Sequence, residues 1–117
     1  MREYTIKFKE SEIEYRIECL PEEMPVRGNL TDSGDAELDK RDEDAVIAEI
    51  ENGNDWAWCT IRVVATYKGL EGNDYLGGCT YSNENDFIAG GYFDDMKDQA
   101  RSDLLSKLGI EDQNESN

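Results

Sequence analysis

Residues 56–67 read WAWCTIRVVATY and form the longest continuous alternation of side-chain types in the chain. One set of alternate positions is apolar, whereas the other mixes Trp, Thr, Arg and Val. The apolar set is Ala57, Cys59, Ile61, Val63, Ala65 and Tyr67. Because successive side chains of a strand point to opposite faces of a sheet, this period of two predicts a long strand with one face turned to the core.

A partner strand is predicted directly after this one. Lys68-Gly69 can turn the chain, and residues 70–81 then return as an antiparallel neighbour. Gly72 and the pair Gly77-Gly78 within that neighbour indicate a bulge or a close approach of another backbone.

A second hairpin is predicted at the start of the chain. Residues 4–9 and 13–19 each alternate apolar and polar side chains, and a tight turn near Glu10-Ser11 joins them. Pro21 and Pro25 follow, so this stretch cannot continue a central strand.

Two helices are predicted, one after each hairpin. Residues 28–39 are rich in Gly, Asn, Asp and Ser and predict a loop. The first helix covers residues 42–52, with Asp42 as its N-cap and Gly53 as its end. The second begins near Asp94 and stops at Gly109, after a single turn around residues 86–89.

These elements follow the order ββ-α-ββ-α and predict an α+β fold. The simplest arrangement is two-layered, with both helices on one face of a four-stranded antiparallel sheet. Residues 1–110 are expected to form this single domain, and residues 111–117, which have no apolar anchor, a disordered tail.

Composition excludes several kinds of chemistry. Of the 117 residues, 28 are acidic, 12 are basic and none is His, for a net charge of −16. Without His, Ser-His-Asp and Cys-His catalysis and His-bound zinc are excluded, so we expect no enzyme and no cofactor. The acidic run 32–44 lacks the Gly and Glu positions of an EF-hand loop, so no metal site is predicted.

The same composition constrains partners and location. A strongly anionic chain is repelled by nucleic acid and by anionic lipid, so we expect a basic partner and no direct contact with either. No stretch is apolar enough to cross a membrane or to act as a secretion signal, and a soluble cytoplasmic protein is expected.

Three cysteines stand at positions 19, 59 and 79, too far apart in sequence for a C-x-x-C motif. The favoured interpretation is that they are small buried apolar residues, because free Cys is mostly buried. Intermolecular bridging or a reactive thiol is the alternative.

Charge counted along the chain is uneven. Residues 32–55 carry ten acids and two bases, residues 84–117 nine and three, and residues 56–83 two of each. If both helices share one side of the sheet, their outward faces form one acidic face. Its predicted partner-binding residues are Asp42, Glu43, Asp44, Glu49 and Glu51 from the first helix, and Asp94, Asp95 and Asp98 from the second, whose outward face also carries Asp103.

Trp56 and Trp58 lie opposite the apolar face of the predicted long strand. If they are exposed, they add to the partner-binding residues and offer a surface for a homodimer. The alternative is that one or both fold under the loop 21–41 and complete the core.

Three segments carry a resemblance: NDWAWC at 54–59, YLGGCTY at 75–81 and GGYFDDM at 90–96. Across residues 25–108 the chain resembles small acidic proteins of bacteriophages and mobile elements. The resemblance implies an anti-CRISPR or anti-restriction inhibitor, acting in the host cytoplasm, whose acidic face mimics DNA and blocks a basic nucleic-acid-binding defence protein. The alternative function is a binding or assembly module that uses the Trp face, with acidity serving only solubility.

Overall fold

The computed structural model describes residues 8–110 and shows a mixed α+β fold around an antiparallel sheet. Within these residues three strands form the sheet in the order β1-β2-β3, so β2 is central. The elements are β1 Glu14–Pro21, α1 Ala36–Glu51, β2 Cys59–Tyr67, β3 Leu70–Cys79, α2 Glu84–Ala89 and α3 Tyr92–Leu108, with short 3-10 turns at Glu10–Glu12 and Asp55–Ala57.

The core lies on the face of the sheet that the alternation in residues 56–67 predicted. Cys59, Ile61, Val63, Ala65 and Tyr67 are all buried there. They meet Phe87 from α2 and Met96, Ala100 and Leu104 from α3 in one apolar cluster. The predicted apolar face of the central strand is therefore confirmed.

Gly72 brings α3 into direct contact with the sheet. A Cβ built on Gly72 would collide with the carbonyl oxygen of Ala100 and the backbone nitrogen of Leu104. Since both atoms belong to helix backbone, they cannot move aside without shifting α3. Of the two roles predicted for this Gly, a bulge or a close approach, the structure has the close approach.

Other boundaries differ from the predictions. The first helix begins at Ala36 and not at Asp42, because the Asp35 side chain caps it by accepting from the backbone N–H groups of Glu37 and Leu38. The predicted turn near 86–89 is confirmed as α2. The last helix begins at Tyr92, so Asp94 lies inside its first turn and is not the cap.

The predicted four-stranded sheet with two helices on one face is not confirmed. The predicted strand at 4–9 falls largely outside the described residues, and its described end, Phe8 and Lys9, is not in a strand. Only α3 packs extensively on the sheet, whereas α1 packs against the 3-10 turn at 55–57. α1 does not pack on the sheet for two reasons. It has only a thin apolar stripe, with Val46 and Ile47 half-buried, and α3 already covers the core face of the sheet.

None of the helices in residues 8–110 combines the length and apolarity that a membrane span requires.

We predict that Gly72→Ala destabilises the protein by about 1–3 kcal/mol, since overpacking against backbone forces the helix away from the sheet. Urea unfolding followed by Trp fluorescence measures the loss. Gly77→Ala in the same strand is the comparison: its added Cβ comes 3.1 Å from Glu22 Oε1 and 3.8 Å from Thr60 Oγ1 and meets no backbone, so a smaller loss than that of Gly72→Ala is expected. Equal stability of Gly72→Ala and the parent would contradict the close packing.

Candidate acidic interface around α1

The N-terminal half of α1 is tied to the loop before it by charged side chains. Glu43 is buried and accepts from Arg27 Nη1 at 3.2 Å and from the Gly28 backbone N–H at 2.9 Å. Asp44 pairs with the same Arg27 and, at 2.8 Å, with Lys40 Nζ. These bonds from Lys40 and Arg27 lower the pKa of the Asp44 carboxyl. Glu43 and Asp44, predicted as partner-binding residues, therefore hold α1 in place, and Glu43 is not accessible to a partner.

Asp42, Glu49 and Glu51 differ from these two because they are exposed. Asp42 lies 4.0 Å from its neighbour Arg41, a weak pair on the surface. Glu49 and Glu51 form no ion pair with any residue in 8–110, and neither does Asp55 in the 3-10 turn that follows. Sequence reasoning did not select Asp55, since it stands outside the predicted helix.

Glu49 and Glu51 occupy the wrong end of a helix for their charge. The last turn of α1 contains no basic residue. The C-terminus of a helix is the negative end of its dipole, so an acid there costs stability, typically 0.3–1 kcal/mol at an exposed site. An acidic composition chosen only for solubility does not require this placement. The end of α1 is therefore a focus of uncompensated negative charge.

Three of the acids of α3, Asp94, Asp95 and Asp103, have structural explanations. Asp94 and Asp95 lie in its first turn, where the helix dipole favours them, and Asp94 also lies 3.4 Å from Lys97. Asp98, one turn further on, is exposed. Asp103 accepts from the Asn73 backbone N–H at 2.9 Å, a bond that lowers its pKa.

The two helices that were predicted to share one acidic face pack against different parts of the fold. α1 rests on the turn at 55–57 and α3 on the sheet, and the two helices make no extensive contact with each other.

Neither Trp is displayed on an open face of the sheet. Trp58 is 7% exposed, and its Nε1 donates to the Met24 carbonyl at 2.6 Å. Trp56 is half-buried, with its ring 6.3 Å from that of Phe87. The expectation of exposed Trp residues is therefore wrong, and the alternative that they complete the core is what the structure has. The reason is that segment 22–26 folds back over the end of the sheet.

The sheet face opposite α3 is covered by charges. Arg62 bonds to Glu18 at 2.9 Å and to Glu71 at 3.3 Å, while Arg16 bonds to the same two carboxylates at 2.8 and 3.0 Å. Val64 is fully buried in the middle of this face. The face is therefore internally neutralised and is not an apolar docking surface.

Two cavities flank the C-terminal end of α1. The smaller, about 270 Å³, is lined by Cys19, Pro21, Glu22, Ile50, Asp55 and Trp58. The larger is an open groove of about 490 Å³ with Ala45, Val46 and Glu49 of α1 on one side and Tyr81 and Asp86 on the other. Asp42 lies one turn before Ala45 and Val46 on the same stripe of α1.

The three cysteines gather at one end of the sheet. Cys59 and Cys79 face each other across β2 and β3 and are buried, in agreement with the favoured interpretation. Cys19 is only partly buried and its Sγ donates to the Asp55 carbonyl at 3.6 Å. Burial raises the pKa of all three thiols. Across residues 8–110 no group of three or more Cys, Asp or Glu side chains is arranged to hold a metal ion.

Glu22 fixes the segment that covers Trp58. Its carboxylate accepts from the backbone N–H groups of Gly78 and Met24 and from Thr60 Oγ1. The two backbone bonds lower the pKa of Glu22 most strongly. A carboxyl whose pKa is lower in the folded than in the unfolded chain stabilises the fold above the unfolded value, and this contribution is lost as the pH falls through the folded pKa.

We accordingly predict that Glu22→Gln lowers the free energy of unfolding at pH 7 and makes its decline weaker as the pH falls below about 4.3, the ordinary Glu value. Urea titrations at neutral and acidic pH measure both effects. Glu23→Gln, at a neighbouring exposed acid, is the control and should leave the free energy of unfolding at pH 7 within about 0.5 kcal/mol of the parent. If the free energy of unfolding of Glu22→Gln fell with pH as steeply as that of the parent, the Glu22 carboxylate would not be stabilising the folded chain.

The chain matches no protein-family model, no curated protein and no solved structure.

Proposed function

We propose that this protein is a non-enzymatic inhibitor that binds the basic, nucleic-acid-binding surface of a host defence protein and competes there with DNA. The observation that supports the proposal is the unpaired negative charge at the end of α1, formed by Glu49, Glu51 and Asp55. The resemblance to phage proteins in sequence favours an anti-CRISPR or anti-restriction role, exerted in the host cytoplasm.

Electrostatics favours a basic partner over any other class. The net charge of −16 attracts a positive surface over long range and accelerates encounter. A basic DNA-binding site is built to neutralise phosphates, which lie about every 1.7 Å along the axis of a duplex. Asp42 and Glu49, two turns apart on one stripe of α1, are a sparser array of the same sign, whereas Glu51, two residues from Glu49, points to another side of the helix.

The contact is expected to centre on α1 and not on all the acids predicted from sequence. Glu43 and Asp44 are already bound to Arg27, and Asp94 is paired with Lys97. Glu49, Glu51 and Asp55 keep their full capacity to accept hydrogen bonds from Lys and Arg, and Asp42 nearly so. The groove between α1 and α2 adds Asp86 to the same acidic surface.

The assembly module with an exposed Trp face is less well supported. Trp58 is buried, and the sheet face beyond it carries paired charges. A homodimer through that face would have to bury these ion pairs, which costs desolvation energy.

A competition assay tests the proposal. Proteins of the host cell that are retained on heparin are mixed with labelled duplex DNA, and the chain is added. We expect loss of bound DNA, weakened as salt rises from about 50 to 200 mM because exposed charges are screened. DNA binding that persists at every concentration of the chain would overturn the proposal.

Two double variants compare the helices. Glu49→Gln/Glu51→Gln removes two charges from α1, and Asp95→Asn/Asp98→Asn removes two charges from α3. We expect the α1 pair to weaken inhibition about tenfold, or about 1.4 kcal/mol, and the α3 pair to weaken it much less. Circular dichroism and urea unfolding verify that both remain folded. Equal effects of the two double variants would show that inhibition depends on net charge alone and that the partner does not bind specifically at α1.

A further inference from the structure

We infer that the smaller cavity at the end of α1 is an anchoring pocket for an arginine side chain of the basic partner. The inference rests on the proposed function and makes it specific, because it names one side chain and one place. The cavity volume of about 270 Å³ is slightly below the ~300 Å³ at which pockets for drug-sized ligands begin, which suits a single side chain.

The walls of the pocket match the two properties of a guanidinium group. Ile50 and Pro21 provide apolar surface for its planar faces, and Trp58, only 7% exposed, contributes a small part of its side chain to the wall. The Trp58 ring is held in position, since its Nε1 is bonded to the Met24 carbonyl.

Carboxylates at the pocket match the charge and the donors of the group. Asp55 lines the pocket, and its negative charge acts on the Cys19 thiol beside it, contributing to the raised pKa of that thiol. Asp55 forms no ion pair within residues 8–110, so its carboxylate is available to a guanidinium. Glu22, also in the wall, adds negative charge although its oxygens already accept three bonds.

The surroundings increase this preference for a cation. Ile50, in the last turn of α1, lines the pocket, so the negative end of the helix dipole lies beside it. An apolar side chain of a partner would desolvate two carboxylates without compensation. A lysine would satisfy the charge, but its compact ammonium group is more strongly hydrated and has no planar face to lie on the apolar wall.

The groove between α1 and α2 is a weaker candidate for an anchor. It is wider and more open, at about 490 Å³, and Asp86 within it already accepts from the Ser82 backbone N–H at 2.9 Å. We assign it to the surrounding contact surface.

Cys19 provides a reporter inside the pocket. It is the one partly exposed thiol of the three, so methyl methanethiosulfonate should modify it before Cys59 and Cys79. Mass spectrometry of the modified chain measures the rate in the presence of a hexa-arginine or a hexa-lysine peptide at low salt. Binding of each labelled peptide is measured separately by fluorescence anisotropy.

We expect hexa-arginine to slow the modification of Cys19 several-fold more than hexa-lysine does. Asp55→Asn should remove most of this protection, and Asp55→Glu should restore part of it. Asp95→Asn, which removes the same charge from α3, should change protection by less than about twofold, the scale of a weak surface charge interaction.

The outcomes separate the two proposals. Equal protection by both peptides, or equal effects of Asp55→Asn and Asp95→Asn, would overturn the arginine pocket while leaving the acidic interface intact. Failure of both peptides to bind at low salt would overturn the acidic interface and the pocket together.

Discussion

The close approach of α3 to β3 at Gly72 is the constraint on which the rest of the structure depends. With no Cβ at this position, the helix backbone at Ala100 and Leu104 lies directly against the strand. Met96, Ala100 and Leu104 then fill the face of β2 that carries Ile61 and Val63. Polar contacts fasten the same helix at its edge, where Asp103 accepts from the Asn73 N–H and Lys107 Nζ donates to the Glu71 carbonyl.

Occupation of the core face by α3 leaves α1 without a place on the sheet. α1 is held instead by the Arg27 pairs with Glu43 and Asp44 and by its contact with the 3-10 turn 55–57. The loop that supplies Arg27 is itself fixed by Glu22 and by the Trp58 indole. Such polar fastening sets position and direction more than it adds stability, because ion pairs with a half-exposed Arg27 are screened by solvent. It leaves the C-terminal end of α1 beside the two cavities.

The acids of this chain have different roles because they lie in different fields and beside different neighbours. Asp35 caps a helix, Asp103 satisfies a strand N–H, and Asp94 and Asp95 lie at the favourable end of a helix dipole. Glu43 is buried and pairs with the half-exposed Arg27. Glu49, Glu51 and Asp55 have none of these roles, and neither does Asp98 on α3; the interface is assigned to the first three because they come together at the C-terminal end of α1. A count of charge along the sequence treats all of these residues alike.

The amino-acid sequence by itself determined the central strand, its apolar face, the partner strand, α2 and the approximate span of α3. These follow from periodicity and turn residues, which act over a few positions. It also determined the net charge, and with it the class of partner that we propose. The start of α1 was missed because Asp35 and Asp42 are both acceptable N-caps and the prediction took the later one. The residues 36–41 that follow Asp35 are mostly good helix formers and favour the earlier start.

Only the tertiary structure decided which predicted site residues are available. Whether Glu43 meets a partner or Arg27, and whether Trp58 is exposed or covered by segment 22–26, depends on loops that return from distant parts of the chain. The pocket that joins Cys19, Glu22, Ile50, Asp55 and Trp58 draws on three stretches of the chain, 19–22, the end of α1 and 55–58. Periodicity and turn residues contain no information on such tertiary contacts, because the contacts that close a long loop are made between residues far apart in sequence.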